Sequence, residues 1–369
     1  MKKLPELKPS EEDARFLRRV FLLVVVAAVL AVVVMAHNLL LLAFGSLLVA
    51  LLLIVVSEFL ERKLGIAYKI GLTLSTLLLL GIIALLGYMF YAEIAFQGEL
   101  LARELPRAWA QTETALRQGV IGRLLLDTVQ NRDTVTFVTN EAQSIVRGAA
   151  VALFNLLIVL SAAVFFAADP TRYRKGLAML SPQSYRALTD RTLGEIGTAL
   201  RLWLITQSIS MLVMGALFTV GLWLSGVPAY VALGVLGGLA EFIPYVGPIL
   251  AMLPALLLSF AGEGSFGGVL ATYAVARVVQ ANIVTPWVTG RVVSVPPGWY
   301  IFLILGAGYV FGTFGLFFSG PLAIAAYTAW LALYSRETLG DDILMPSEHA
   351  AEHFGDEEDE LPKREPPPG

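Results

Sequence analysis

Between Leu202 and Ser335 the chain carries only four charged residues, Glu241, Glu263, Arg277 and Arg291. So long a stretch with so little charge calls for lipid as its solvent. Inside it, the apolar run Tyr230–Phe260 is interrupted by Glu241-Phe242-Ile243-Pro244-Tyr245-Val246-Gly247-Pro248. Each proline lacks an amide donor and clashes with the preceding turn, so the helix must break. In a bilayer, broken backbone survives only where it is buried in protein or lines a watery cavity. A carboxylate at that depth is costly and marks a candidate site. Glu241 is therefore the first candidate for function, with Pro244, Tyr245, Gly247 and Pro248 shaping the break around it.

The remaining chain belongs to the same class. Only 15% of its 369 residues are charged, against ~25% in soluble domains. The expected fold is all-α: a polytopic α-helical membrane protein of about eight crossings, with broken or re-entrant helices in the C-terminal half and an extramembrane helical insert. Cysteine is absent and the three histidines, His37, His349 and His353, form no ligand pattern; no metal is expected. No G-x-x-x-x-G-K-[ST] or G-x-G-x-x-G motif occurs, which argues against ATP hydrolysis, a dinucleotide cofactor and a self-contained pump. No Ser/His, paired Asp or His-rich motif lies within the spans, so no enzyme, no cofactor and no nucleic-acid partner are expected.

Hydropathy divides the chain into segments. Residues 1–19 are polar and basic, and three spanning helices are expected within 20–92: about Val20–Ala36, Leu39–Val56 and Ile70–Tyr91. The first resembles a signal peptide, but His37-Asn38 leads straight into a second apolar run, which favours a helical hairpin. Residues 93–147 form a helical insert with six arginines and seven acids. Its apolar stripe, Leu101, Leu105, Trp109, Thr112, Leu116, Val120 and Leu124, keeps helical spacing; a second stripe is Val135, Val138, Ala142 and Ile145. The insert reads as a lid over a pore or as a hairpin packed on its own spans or a neighbouring subunit.

A fourth span is expected in 148–168 and interfacial helices in 169–201. Asp169-Pro170 and Ser181-Pro182 both look like an N-cap followed by proline in the first turn. Tyr185, Leu188, Thr192, Ile196 and Ala199 make the apolar stripe of a helix on the membrane surface. Residues 202–335 form the core with broken helices. Residues 336–369 read as an acidic disordered tail: from 341 onward ten acids oppose Lys363 and Arg364, a net −8 within a chain of net −3. The N-terminus, the 58–69 loop and the 169–201 segment are basic. Positive-inside counting puts all three in the cytoplasm and the 93–147 insert outside; eight crossings then put the acidic tail in the cytoplasm too.

Three motifs occur in order within about residues 165–335: Glu241-x-Ile243-Pro244-Tyr245-Val246-Gly247-Pro248 with a further Pro254; Gln280-x-Asn282-x-x-x-Pro286-x-x-x-Gly290-Arg291; and Phe311-Gly312-x-x-Gly315 followed by Pro321. Together with the span layout this set resembles the AI-2E family of transporters, the autoinducer-2 exporter family. The resemblance implies a multi-pass, oligomeric protein of a prokaryotic inner membrane. Family members are credited with exporting a small polar signalling molecule in quorum sensing, and some with sodium/proton exchange.

The candidate transport or pore residues are Glu241, Pro244, Tyr245, Gly247, Pro248, Arg277, Gln280, Asn282, Pro286 and Arg291. Glu241 reads either as a carrier of protons or cations or as half of an ion pair with Arg277. In a plain hairpin turning at Glu263 the two would differ in depth by ~12 Å, eight residues of helix; only unwinding at Pro244–Pro248 closes that gap. Gln280 and Asn282 read equally as helix-to-helix hydrogen-bonding groups, and Arg291 as an anchor of the Pro-rich bend. Gly234-x-x-x-Gly238 and Gly308-x-x-x-Gly312 read as close helix contacts. The 36-residue run Trp299–Tyr334 is too long for one crossing and should turn near Gly312–Gly315. The leading functional expectation is a secondary transporter or exporter of a small hydrophilic solute in the lipid bilayer. The alternatives are a sodium (or lithium)/proton antiporter with Glu241 as the shared site, and a membrane scaffold acting through the insert or the tail.

Overall fold

Helix α1 (His37–Leu64) stops at Gly65, which takes a left-handed conformation and returns its N–H to the carbonyl of Glu61. Arg62 and Lys63 in its last turn face the negative end of the helix dipole. In the computed structural model residues 36–89, 153–243, 246–260, 262–284, 296–340 and 344–348 are described, with single positions 20, 91, 151 and 286. The expected first span, the 93–147 insert and the acidic stretch beyond 348 lie outside the described residues.

After the turn at Gly65, α2 (Tyr68–Met89) runs back along α1. The two approach closely: a Cβ on Gly71 would lie 3.1 Å from the carbonyl of Ser57, and the hydroxyls of Ser57 and Ser75 share a 3.1 Å hydrogen bond. Helix α3 (Leu153–Ala168) completes this cluster with Ala163 and Ala167 against Ala50, Leu53, Ile54 and Leu72. The Tyr68 hydroxyl donates to the Ala167 carbonyl at 2.7 Å. Lipid offers helices no hydrophobic reason to associate, so small residues and interhelical hydrogen bonds hold such clusters together.

At Asp169 the chain bends by 92° into α4 (Pro170–Ala178). The expected cap is present: the Asp169 carboxylate accepts from the Arg172 amide at 3.1 Å, with proline in the first turn. The second expected cap is not. Pro182 is extended (φ −52°, ψ 150°) and opens a short 3-10 turn, Gln183–Tyr185. The Ser181 hydroxyl is shared with Thr189 instead of capping. The turn leads into a single 39-residue helix, α5 (Arg186–Leu224), where an interfacial helix and a separate span were expected. The apolar stripe explains the continuity: Thr192 and Ala199 are buried and lead into Leu200, Trp203 and Leu204 without a change of face.

Of the later helices described, three pack directly along α5. Helix α6 (Tyr230–Ala240) runs antiparallel to it through glycines: Cβ atoms on Gly234 and Gly238 would fall 2.0 Å from Thr219 Oγ1 and 2.6 Å from the Met211 carbonyl. After the break, α7 (Val246–Phe260) returns to the Leu224 end, where Phe260 packs on Phe266 at a ring separation of 4.5 Å. Helix α8 (Phe266–Val279) starts at that same end, its cap Ser265 donating its amide to the Ser225 carbonyl. Segment 230–260 therefore enters and leaves at one end of α5, as a re-entrant hairpin.

The C-terminal run makes a second hairpin from the opposite end. Helix α9 (Pro297–Phe317) is broken at Gly312 (φ 63°, ψ −149°), a conformation open essentially to glycine alone. The chain doubles back so sharply that a Cβ on Gly315 would lie 2.1 Å from the Ala307 carbonyl. Gly312 thus serves the turn and not the close helix contact expected of it. Helix α10 (Ser319–Trp330) then descends α5, with Gly320 against Trp203 and Ile324 packed with Leu200 and Leu204. It continues as a wide π turn, Leu331–Leu339. Residues 336–339 are therefore helical where tail was expected. Ser347 docks on α5 through its amide and hydroxyl, 3.0 and 2.7 Å from the Glu195 carboxylate.

The fold is helical and no strand occurs among the described residues. Four helices there, α1, α2, α8 with its extension and α5 with its leading turn, are long and apolar enough to cross a membrane; α3–α4 adds a fifth if counted as one bent span. About eight crossings were expected, with 230–260 and 299–334 ambiguous in number. Both return to their starting side, so neither adds a crossing.

Candidate functional site

The tip of the α6–α7 hairpin lies inside the bundle. Helix α6 has 11 residues, so Glu241 sits ~16 Å from its start, about half of a ~30 Å hydrocarbon core. The residues that end the helix also tighten it: the amides of Glu241, Phe242 and Ile243 bond back to Gly238, Leu239 and Ala240. Gly247 then passes so near that a Cβ would lie 1.7 Å from the Ala240 carbonyl. Gly247 and Pro248 are buried in this reversal. Pro244 and Tyr245 lie outside the described residues.

Two features make Glu241 expensive here. Its side chain is 3% exposed, and it stands at a helix C-terminus, where the dipole disfavours negative charge. Helix α8 answers both. The Arg277 guanidinium forms a salt bridge with Glu241 Oε1 through Nη2. Gln280 Nε2 donates to Oε2 at 2.9 Å. Arg277 and Gln280 are three residues apart and so share a helix face. The freed main chain is satisfied too: Gln207 on α5 donates its side-chain amide to the Glu241 carbonyl at 2.7 Å. That carbonyl is one of the orphans a helix end leaves, and at this depth it needs a protein partner.

The ~12 Å depth mismatch expected for Glu241 and Arg277 is absorbed at the tip. Gly247 comes back against the Ala240 carbonyl, at nearly the depth of Glu241; α7, with 15 residues, then covers ~22 Å back to the Leu224 end. Arg277 lies twelve residues beyond the cap Ser265, or ~18 Å along α8. The two depths meet. Tyr273, one turn before Arg277, steadies the same face: its hydroxyl donates to the Ala251 carbonyl at 3.0 Å and its ring stacks on Phe218.

Immediately after Gln280 the helix loosens into a π turn, Gln280–Val284. Single π turns inside α-helices often sit at functional sites. Here it turns the next polar residue away: Asn282 is exposed and donates to the Val278 carbonyl of its own helix at 2.8 Å. Pro286 is exposed. The structure therefore brings together Glu241, Arg277 and Gln280, with Gly247 and Pro248 beneath them, and leaves Asn282 and Pro286 apart. Arg291 is outside the described residues. Gln207 was not among the expected residues, although a lone amide within the apolar Trp203–Leu224 stretch was a signal for it.

Arg277 is asymmetric in its surroundings. Its side chain is 41% exposed, and a guanidinium carries five N–H donors. Among the described residues Glu241 is its only hydrogen-bond partner. A buried carboxylate thus holds one side of a cation whose other donors face outward at mid-depth, an arrangement able to offer hydrogen bonds to a polar solute. Among the described residues no group of three or more His, Cys, Asp or Glu could hold a metal.

The model of the family described as "AI-2E family transporter" matches residues 22–335. "Putative transport protein YrrI" of Bacillus subtilis (strain 168) is 26% identical over 149 residues, 40% of this chain and 42% of that protein. A "Putative transport protein" of Methanothermobacter thermautotrophicus is 26% identical over 213 residues, 58% of this chain and 64% of the relative. "Putative transport protein YhhT" of Escherichia coli (strain K12) is 24% identical over 202 residues, 54% of this chain and 56% of the relative. The matched parts thus span from about two fifths to just under two thirds of these relatives' own lengths. The family match covers most of the chain and all the residues around Glu241: the chain belongs to the AI-2E family of transporters.

Proposed function

We propose that the protein is a secondary transporter or exporter of a small hydrophilic solute, of the autoinducer-2-like class, and that the solute passes the α6–α7 tip beside Glu241. The observation that carries this reading is the half-depth carboxylate, 3% exposed, held by Arg277 and Gln280 at a break between two short helices. Discontinuous helices meeting near the bilayer midplane are the usual substrate sites of secondary transporters. A solute rich in oxygen acceptors would bind the outward donors of Arg277 while Glu241 keeps the guanidinium in place. In this reading the basic segments favour a cytoplasmic Arg186 end of α5 in a prokaryotic cell, with the Leu224 end on the far side of the inner membrane.

The test is counterflow in proteoliposomes. Glu241→Gln should abolish exchange of an autoinducer-2-type solute across membranes holding correctly folded protein. Exchange by Glu241→Gln at the wild-type rate would overturn the reading. The antiporter alternative gives a different signal in the same vesicles, a proton flux on addition of sodium or lithium. Both Glu241 oxygens already accept from Arg277 and Gln280, so a bare cation would have to displace these donors; the solute reading requires no such exchange.

A further inference from the structure

The two re-entrant hairpins enter from opposite ends of α5 and touch at their tips. Phe242, the residue after Glu241, stacks on Phe317 of the α9–α10 turn with ring centroids 4.6 Å apart and an interplanar angle of 29°. Each ring has a separate backing. Phe242 meets Trp203 of α5 edge-on at 5.5 Å. Phe317 meets its neighbour Phe318 edge-on at 4.9 Å, and Phe318 meets Phe44 of α1 at 6.0 Å. Gly45 leaves the space Phe318 fills, since a Cβ there would lie 2.9 Å from the ring. One tip therefore presents a polar side to α8, through Glu241, and an apolar side to the opposite tip, through Phe242.

We propose that the stacked Phe242–Phe317 pair, where the tips of the two opposed hairpins meet, is the gate that closes the solute path beside Glu241. This rests on the transport reading and adds the residues that shut the path. The outer members of the aromatic row are fixed to α5 and α1, through Trp203 and Phe44. The pair between them joins the tips of two different hairpins, so it is where the tips separate. Apolar constrictions exclude water and ions without any charged barrier. Phe317 is 40% exposed, so truncating it leaves no sealed cavity in a packed core.

The native sequence has no cysteine, which gives clean chemistry for the test. The full-length protein is reconstituted in liposomes containing pyranine, and passive proton leak is followed after an external pH step. Phe317→Ala and Phe242→Ala should each raise the leak about tenfold, the population change to which one lost aromatic stack converts. Phe317→Tyr, which keeps the ring, should leave it at the wild-type level. A Phe242→Cys/Phe317→Cys pair should leak until joined by a short bifunctional thiol reagent, and joining should also stop counterflow. Wild-type leak in both alanine variants, eluting as folded protein, overturns the gate; so does full counterflow in the joined pair. The leak measurement needs no known solute. A gate that fails while Glu241→Gln still abolishes counterflow leaves the transport reading standing, and the converse result leaves the gate standing.

Discussion

The α6–α7 tip and the α9–α10 tip both turn an apolar chain back inside the bundle, but they hold that turn by different means. The first uses a carboxylate held across space by Arg277 and Gln280, with Gln207 satisfying its carbonyl. The second has no charged residue and relies on backbone: Gly312 in a glycine-only conformation and Gly315 against the Ala307 carbonyl. A turn held by side chains of another helix can be altered by whatever competes for those side chains. A turn held by its own backbone cannot. Under the proposed function, the polar tip would respond to a solute and the glycine tip would serve as its fixed counterpart.

The comparison breaks most severely if the ion pair is cut. Arg277→Met leaves the Glu241 carboxylate buried with Gln280 as its remaining side-chain donor; losing one partner of a buried pair costs about 3–5 kcal/mol. Thermal unfolding in detergent should show the loss, and adding Glu241→Gln should restore part of it. If the double variant is no more stable than Arg277→Met, the pair does not hold the tip. Gly247→Ala comes next, because its Cβ would overlap the Ala240 carbonyl; about 3 kcal/mol is expected for such overpacking, read as lost folded yield. Gly312→Ala should cost about 1–3 kcal/mol, the range for a residue held in that φ/ψ region. It should destabilise the protein without touching the Glu241 partners. Gln207→Leu is the mildest: an unsatisfied carbonyl costs about 1–3 kcal/mol, and a water reaching the tip would lower that. A Gln207→Leu variant as stable as wild type would mean that water reaches the tip, which itself supports a wet path.

The sequence made some of this plain and hid other parts for physical reasons. Charge is so rare between 202 and 335 that Glu241 and Arg277 stood out, and the prolines marked the break between them. The turn near Gly312–Gly315 was legible because 36 apolar residues cannot be one crossing. Whether each long run crosses or re-enters was not legible. That depends on which end of α5 the chain returns to, a non-local fact carried by contacts such as Phe260 with Phe266 and Gly320 with Trp203. Gln207 escaped notice because an uncharged amide barely disturbs a hydropathic pattern. Asn282 attracted notice for its polarity, yet the π turn gives it a partner in its own helix. Ser181-Pro182 has the composition of a cap, but Thr189 claims the hydroxyl.

Helix α5 has a consequence for where the chain tolerates changes of length. Along one uninterrupted rod it carries Glu195 for the Ser347 contact, Arg201 for Glu58, Trp203 for the aromatic row, Gln207 for the polar tip and Gly215 for α6. One inserted residue turns everything beyond it by ~100° and moves it ~1.5 Å, so these contacts cannot all survive an insertion between Glu195 and Gly215. Insertions and deletions should be admissible in the turn at 65–67, where a Cβ on Gly65 would meet nothing within 4 Å, and purged within α5. Among the described helices, α5 is thus the one whose length is least free to change.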